Sequence, residues 1–319
     1  MSKVLAIAIN TFKEAVRNRV LYVLLFFSVL IMLGAWVAST LSIDEEIKIV
    51  RDLGIGAINF ISLLIAVFVG IGLVYNDLDK RTIYTIVSKP ISRWQFLVGK
   101  YFGLLLTIAV NVLVMTWIFA AVLHFRSSLA QEVIFNVAYR ADASGQLQYQ
   151  GSGVLMLHYV VSLVKAIALG LWHILSFGFD GYQATQGLFA ASVLTILEMG
   201  VITGFAILFS SFSSPTLSAF MTVIIFIIGR LNQDLYLFAD TMATRAGGVD
   251  NLSGGQVLVY YFSKGSAYIT PNLAIFDRRK PISEFQPIDF GVTDFLYGVV
   301  YTVLVLTIAV IIFNRRNFK

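Results

Sequence analysis

Two ionisable side chains stand inside apolar runs of this chain: Glu198 within LFAASVLTILEMGVITGFAILF and Arg230 within LSAFMTVIIFIIGRL. A charge in hydrocarbon is expensive, so such a residue points to a packing role or to a species being moved or relayed. Two arrangements would neutralise them. If the two runs are antiparallel neighbours joined by a short turn, Glu198 and Arg230 lie at similar depth and can pair. Alternatively, Arg230 pairs with Asp234 one helical turn further along, or snorkels outward. Other chemistry finds little support. The three histidines show no His-x-x-x-His or Glu-x-x-His spacing, and cysteine is absent. The usual zinc ligand sets and a disulfide framework are therefore not expected. A membrane-embedded enzyme needs convergent His, Asp, Glu or Ser groups within its spans, and none converge here.

The elements that must hold these residues are membrane spans. Of 319 residues, 58% are hydrophobic and only 13% are charged, and mean hydropathy is +0.83. Soluble domains carry roughly 25% charged residues. Six stretches have the length of about 20 apolar residues that a crossing needs: 20–38, 55–75, 101–123, 187–209, 216–238 and 294–313. A seventh, 154–177, is apolar but holds His158, Lys165 and His173.

Charge asymmetry arbitrates between six spans and seven. Basic clusters occur at Lys3, Lys13, Arg17 and Arg19, at Lys80, Arg81, Lys89, Arg93 and Lys100, and at Arg315, Arg316 and Lys319. Placing all three in the cytoplasm requires an even number. The expected fold is an all-α integral membrane protein with six transmembrane helices and both termini cytoplasmic. Residues 154–177 then form a non-spanning helix on the outer side, and DRRK, Asp277 to Lys280, is an outer-side exception to the charge rule. The chain divides into 1–123 (N-terminal helix and spans one to three), an outer insertion at 124–186, and 187–319 (spans four to six with an outer loop at 239–293). YRADASGQLQYQGSG, Tyr139 to Gly153, reads as a loop or small exposed subdomain of that insertion. The net charge of +5, carried on residues flanking the spans, fits anionic lipid and not nucleic acid.

Three cytoplasmic features stand out. In VLAIAINTFKEAVRNRV, Leu5, Ile9, Phe12 and Val16 make one apolar stripe at helical spacing, with Lys13 and Arg17 off it. Such a helix lies in the inner interface, unless it is a plain extension of span one. Between spans two and three, Asp77, Asp79, Lys80, Arg81 and Tyr84 fall in a predicted helix at about 77–88. Pro90 suits the first turn of a second helix, because its missing N–H would be unpaired there; that helix carries Arg93 and Trp94 into span three. This segment either docks into a groove on a partner or is a solvated basic loop that sets orientation. The third feature is the uncharged turn SSFSSP, at 210–215, between spans four and five. Within span four, Gly200 and Gly204 form a Gly-x-x-x-Gly pair about 200–240° around the helix from Glu198. Small residues at that spacing allow close helix contact, within the chain or at a dimer face.

This order of parts resembles the permease subunit of a type-2 ABC exporter. Members of that family open with an amphipathic elbow helix and carry a coupling segment between spans two and three. DKRTIYTIVSKPISRWQFLVGK, Asp79 to Lys100, is similar to that segment. TFKEAVRNRVLY, Thr11 to Tyr22, and the ending FNRRNFK resemble a branch that includes the permease serving copper-site maturation of nitrous oxide reductase. The resemblance covers 1–123 and about 187–319; relatives have a short loop where this chain has 124–186, so an outer-side partner for that insertion is not inherited.

The resemblance implies a non-catalytic permease subunit in a bacterial or archaeal inner membrane. It would work with a second copy or a homologue and with separate ABC ATPase subunits. ATP and Mg would sit on those subunits, with no cofactor in this chain. One peptide complicates this. Leu252 to Gln256 spells Leu-Ser-Gly-Gly-Gln, the peptide by which ABC ATPases are recognised. Yet no Gly-x-x-x-x-Gly-Lys phosphate loop occurs in the chain, and the peptide falls on the side expected to be outside. It reads as a chance match in a Gly-rich turn. The rival reading is a secondary transporter driven by an ion gradient. It predicts an inverted repeat and paired midplane charges; no repeat is visible, and Glu198 and Arg230 are its only candidates.

Overall fold

A computed structural model describes residues 3–39, 46–73, 75, 92–128, 139–141, 147–149, 164, 187–277 and 291–315. Its helices are α1 (Lys3–Val16), α2 (Arg19–Ser39), α3 (Glu46–Leu64), α4 (Arg93–Ser128), α5 (Leu188–Ser210), α6 (Pro215–Arg230), α7 (Asn232–Arg245), α8 (Gly254–Ile269) and α9 (Val292–Arg315). A π-helical turn, Ile65–Gly70, continues α3 to Leu73. Four helices are long and apolar enough to cross a membrane, and six spans result if each of two bent helix pairs counts as one. The helical membrane architecture expected from hydropathy is therefore present. Among the described residues of 124–186, α4 runs on to Ser128, and β1 (Tyr139–Ala141) pairs antiparallel with β2 (Leu147–Tyr149), in register Tyr139 to Tyr149. The stretch 154–177, Val164 apart, lies outside the described residues, as does 77–88.

α5 is the centre of the bundle. It is apolar all round and buried along most of its length, as a helix with no polar face must be. α4, α9, α6 and α3 surround it. α4 runs antiparallel to it, since Tyr101 lies beside Gly200 while the Thr116 and Ser192 hydroxyls meet at 2.7 Å. α9 runs parallel to it, with Gly204 against Val305 and Gly298 beside Leu197. The outward faces of α2 and α9 are rows of exposed Phe, Leu, Val and Ile, the surface that lipid or a second helix layer covers.

Two expectations are corrected. The fifth span does not run unbroken from 216 to 238. α6 ends at Arg230, and α7 leaves at 57°. The cause is tertiary. Pro271 and Leu273 press against Gly229 so closely that a Cβ there would lie 2.8 Å from either. Asn232 then donates to the Ala267 and Thr270 carbonyls at 2.7 and 3.2 Å, tying the start of α7 to the end of α8. The second correction concerns the region assigned as an outer loop at 239–293. Most of its described part is helical: α7 and α8 form a hairpin around Ala239, Leu252 and Tyr260, followed by a 3-10 turn, Leu273–Phe276.

Span boundaries move as well. α3 starts well before residue 55 and buries Arg51. α4, with 36 residues, is about 54 Å long, longer than the roughly 30 Å hydrocarbon core, so it extends beyond it.

Candidate functional site

The start of α4 gathers three parts of the chain. Ser92 precedes the helix, and its N–H is accepted by Gln95 Oε1 at 3.3 Å; a Ser-x-x-Gln start of this kind satisfies amides that lack helical partners. Ser92 is not helical, and the helix that carries Arg93 and Trp94 opens at Arg93. Arg93 then reaches back across the chain. Its Nη1 donates to the carbonyls of Phe313 and Asn314 at 3.2 and 3.1 Å. These are among the last carbonyls of α9, where a cation satisfies unpaired acceptors and complements the helix dipole. One turn further in, Phe96 stacks on Phe313 with centroids 6.3 Å apart, and both rings are buried. Trp94 points outward, 49% exposed.

Further along the face that carries Phe96, α4 seats the elbow helix, and Lys100 Nζ lies 6.0 Å from the centroid of the Phe96 ring. α1 packs along α4. Gly99 and Gly103 make the approach possible: a Cβ on Gly99 would fall 2.7 Å from Ile7 Cβ, and one on Gly103 2.6 Å from both the Ala8 carbonyl oxygen and Thr11 Cβ. Lys100, 2% exposed, sits between these glycines and reaches Glu14 Oε2 at 3.4 Å. The seat on α1 is made of Ala8, Thr11 and Ala15. It lies about 100° around the helix from the stripe of Leu5, Ile9, Phe12 and Val16. The elbow helix thus has three faces: a small-residue seat, the large apolar stripe with Phe12 half-buried, and a polar side bearing exposed Lys13 and Arg17.

A second charged cluster lies within the bundle. Arg230 Nε and Nη2 each donate to a Glu198 carboxylate oxygen at 2.7 Å. Arg230 Nη1 donates to Asp277 Oδ2. The guanidinium also lies 5.4 Å from the centroid of Phe226. Glu198 is 1% exposed, Arg230 13% and Asp277 23%. Of the two arrangements open to Arg230, the structure holds the interhelical one. Asp277, at the start of DRRK, completes a Glu–Arg–Asp triad at the break between α6 and α7. Gly200 and Gly204 both face helices of the same chain: Gly200 meets Tyr101 on α4, and Gly204 meets Val305 on α9.

Asp77, Asp79, Lys80, Arg81, Tyr84 and Pro90 lie outside the described residues. Three contacts had escaped the sequence reading. Arg93 to the end of α9 and Lys100 to Glu14 join positions 220 and 86 residues apart, which no local pattern encodes. The Gly99–Gly103 seat did carry a signal, the spacing of GKYFG, hidden beneath the reading of Lys100 as an orientation charge.

The peptide Leu252 to Gln256 is not a turn but a helix start. Ser253 is the N-cap of α8, and Gln256 Oε1 accepts from the Ser253 N–H at 3.0 Å. This is a capping box, of which α4 shows the glutamine half, Gln95 Oε1 accepting from the Ser92 N–H. Gly254 and Gly255 have no positive φ, and a Cβ on either would meet nothing within 4 Å. The left-handed glycines of this region are Gly247 (φ 73°) and Gly248 (φ 136°). Among the described residues, no group of three or more His, Cys, Asp or Glu could hold a metal ion.

A family model described as "ABC-2 family transporter protein" matches residues 5–318. No curated protein matches the chain.

Proposed function

The chain belongs to the ABC-2 family of transporter proteins, and from that premise we propose that it is the permease subunit of a type-2 ABC exporter whose ATPase is a separate chain. The observation that carries this reading is the extent of the match, 5–318, from the elbow helix to the end of α9. Two permease copies, or this chain and a homologue, form the path. Two ATPase subunits dock beneath them, hold ATP and Mg, and close. Their motion enters through Asp77, Asp79, Lys80, Arg81 and Tyr84, passes Pro90, and reaches α4 at Arg93 and Trp94, with the elbow helix and the 210–215 turn assisting. Both termini are cytoplasmic, and the membrane is a bacterial or archaeal inner membrane. The similarity of Thr11–Tyr22 and of FNRRNFK supports the branch of the nitrous oxide reductase copper-maturation permease.

The test is co-purification in mild detergent followed by reconstitution. An ATPase should accompany the chain. Reversing charge at Lys80 and Arg81 together should lower permease-dependent ATP hydrolysis while the permease still folds and inserts. Unchanged ATPase binding and turnover would remove 77–88 from the interface, and absence of any ATPase would end the reading.

A further inference from the structure

Resting on that reading, we infer that Arg93 is a positioning residue for the transport stroke: by capping the last carbonyls of α9, its guanidinium makes the end of the coupling segment and the end of the sixth span move as one body. Three observations converge. The Arg93 head bonds two successive carbonyls of α9, Phe313 and Asn314. Directly beneath, Phe96 and Phe313 stack with both rings buried, so the join is a packed unit and not a surface contact alone. On the same face, one to two turns further along α4 from Phe96, Gly99, Lys100 and Gly103 hold the elbow helix, with Lys100 Nζ 6.0 Å from the centroid of the Phe96 ring. A push arriving at Ser92 therefore meets one block made of α1, the start of α4 and the end of α9.

The block has a definite output. α9 packs along the buried central helix α5, with Val305 against Gly204 and Phe276 against Gly298 of α9 itself. Phe276 immediately precedes Asp277, the second carboxylate on Arg230. Displacing α9 along α5 therefore loads the 3-10 turn and the Glu198–Arg230–Asp277 triad at the α6 break. Packed interiors transmit such displacements because they leave little free volume. Both contacts come from Nη1, and arginine suits this place because its guanidinium is always charged, planar and weakly hydrated, whereas a lysine ammonium is a strongly hydrated point charge on a flexible stem.

The chain has no native cysteine, which makes spin labelling clean. One labelled pair sits within the block, at the exposed positions Trp94 and Arg315; a second runs from Trp94 to Ser214, in the turn after α5. Distances are measured in nanodiscs with the ATPase bound, without nucleotide and after trapping with ATP and vanadate. The expected result is a constant Trp94–Arg315 distance while Trp94–Ser214 changes. In Arg93→Ala the first distance should broaden on trapping, and permease-stimulated ATP hydrolysis should fall roughly two- to fivefold, with Arg93→Lys recovering part of it. A Trp94–Arg315 distance that changes as much as Trp94–Ser214 in the unmutated pairs overturns the inference while the permease reading stands. So does a Trp94–Ser214 distance indifferent to trapping, or full stimulation in Arg93→Ala. Failure of any ATPase to bind overturns both.

Discussion

Arg230 holds both carboxylate oxygens of Glu198, each at 2.7 Å, from the last residue of a helix that stops there. The position explains the chemistry. α6 has 16 residues and rises about 24 Å, so it ends beside the middle of α5 and not at the far surface. At that depth the chain places a cation that holds two carboxylates. A buried pair with all of its hydrogen bonds made is close to neutral in stability, whereas one left with a lone charge is strongly destabilised.

The first prediction follows from that asymmetry. Arg230→Ala takes from Glu198 and Asp277 the guanidinium that both carboxylates hold and should destabilise the chain by about 3–5 kcal/mol. The double variant Glu198→Leu with Arg230→Met removes both charges of the bidentate pair and should recover a large part of the loss. Thermal unfolding in detergent, followed by retention of the monodisperse species, gives the order. Equal stability for Arg230→Ala and the unmutated chain would mean that the triad holds nothing together.

How far these features could be read from residues alone depends on their range. Glu198 and Arg230 were legible because each is a lone charge in a long apolar run, and the two runs share one short turn. Asp277 was not, because it comes 47 residues after Arg230 from a segment that reads as surface. The break itself was hidden: Leu235, Leu237 and Phe238 continue the apolar run past Arg230, so hydropathy sees one span. The contacts at Gly229 and Asn232 that end the helix belong to partners some 35 to 45 residues on. The elbow was half legible. Large apolar residues announce the Leu5–Val16 stripe, but the seat of Ala8, Thr11 and Ala15 is made of small groups that contribute little to hydropathy.

The elbow seat yields the second prediction. Gly103→Ala places a methyl group 2.6 Å from a backbone oxygen of α1, an atom that cannot swing aside as a side chain does. Overpacking of this kind costs about 1–3 kcal/mol, partly offset by alanine's helix preference of about 1 kcal/mol over glycine. A net loss should appear in thermal unfolding, with faster protease cutting near Asn18. Gly265→Ala, where a Cβ meets nothing within 4 Å, should show the propensity gain alone. Indistinguishable behaviour of the two would mean that α1 is not seated on α4.

The third prediction concerns the side on which the insertion lies. If 154–177 does not cross the membrane, Ser144 and Gln183 are on one side, opposite the termini. Single cysteines at these two positions of a cysteine-free chain should both react with an impermeant maleimide added to whole cells. Reaction of only one would require a seventh crossing and would put one terminus on the other side, where the basic clusters should not be.

The last prediction returns to Leu252–Gln256. Its Ser-x-x-Gln spacing is used as a capping box on α8, of which Ser92 and Gln95 show the glutamine half at the start of α4. The letters are therefore accounted for by helix initiation, and no nucleotide is needed to explain them. Ser253→Ala should weaken the start of α8 by about 1 kcal/mol, seen as faster amide exchange over Gly254–Val257. Gly254→Ala and Gly255→Ala should be tolerated, since neither glycine has positive φ and both face open space. Gly248→Ala should be worse than either, because φ 136° is closed to a residue with a Cβ. A working nucleotide motif predicts the reverse order, with Gly254 and Ser253 intolerant and Gly248 indifferent. In the reconstituted complex, Ser253→Arg should leave ATP hydrolysis within about twofold, under about 0.5 kcal/mol; a loss of several orders of magnitude with assembly intact would mean that the peptide contacts nucleotide after all.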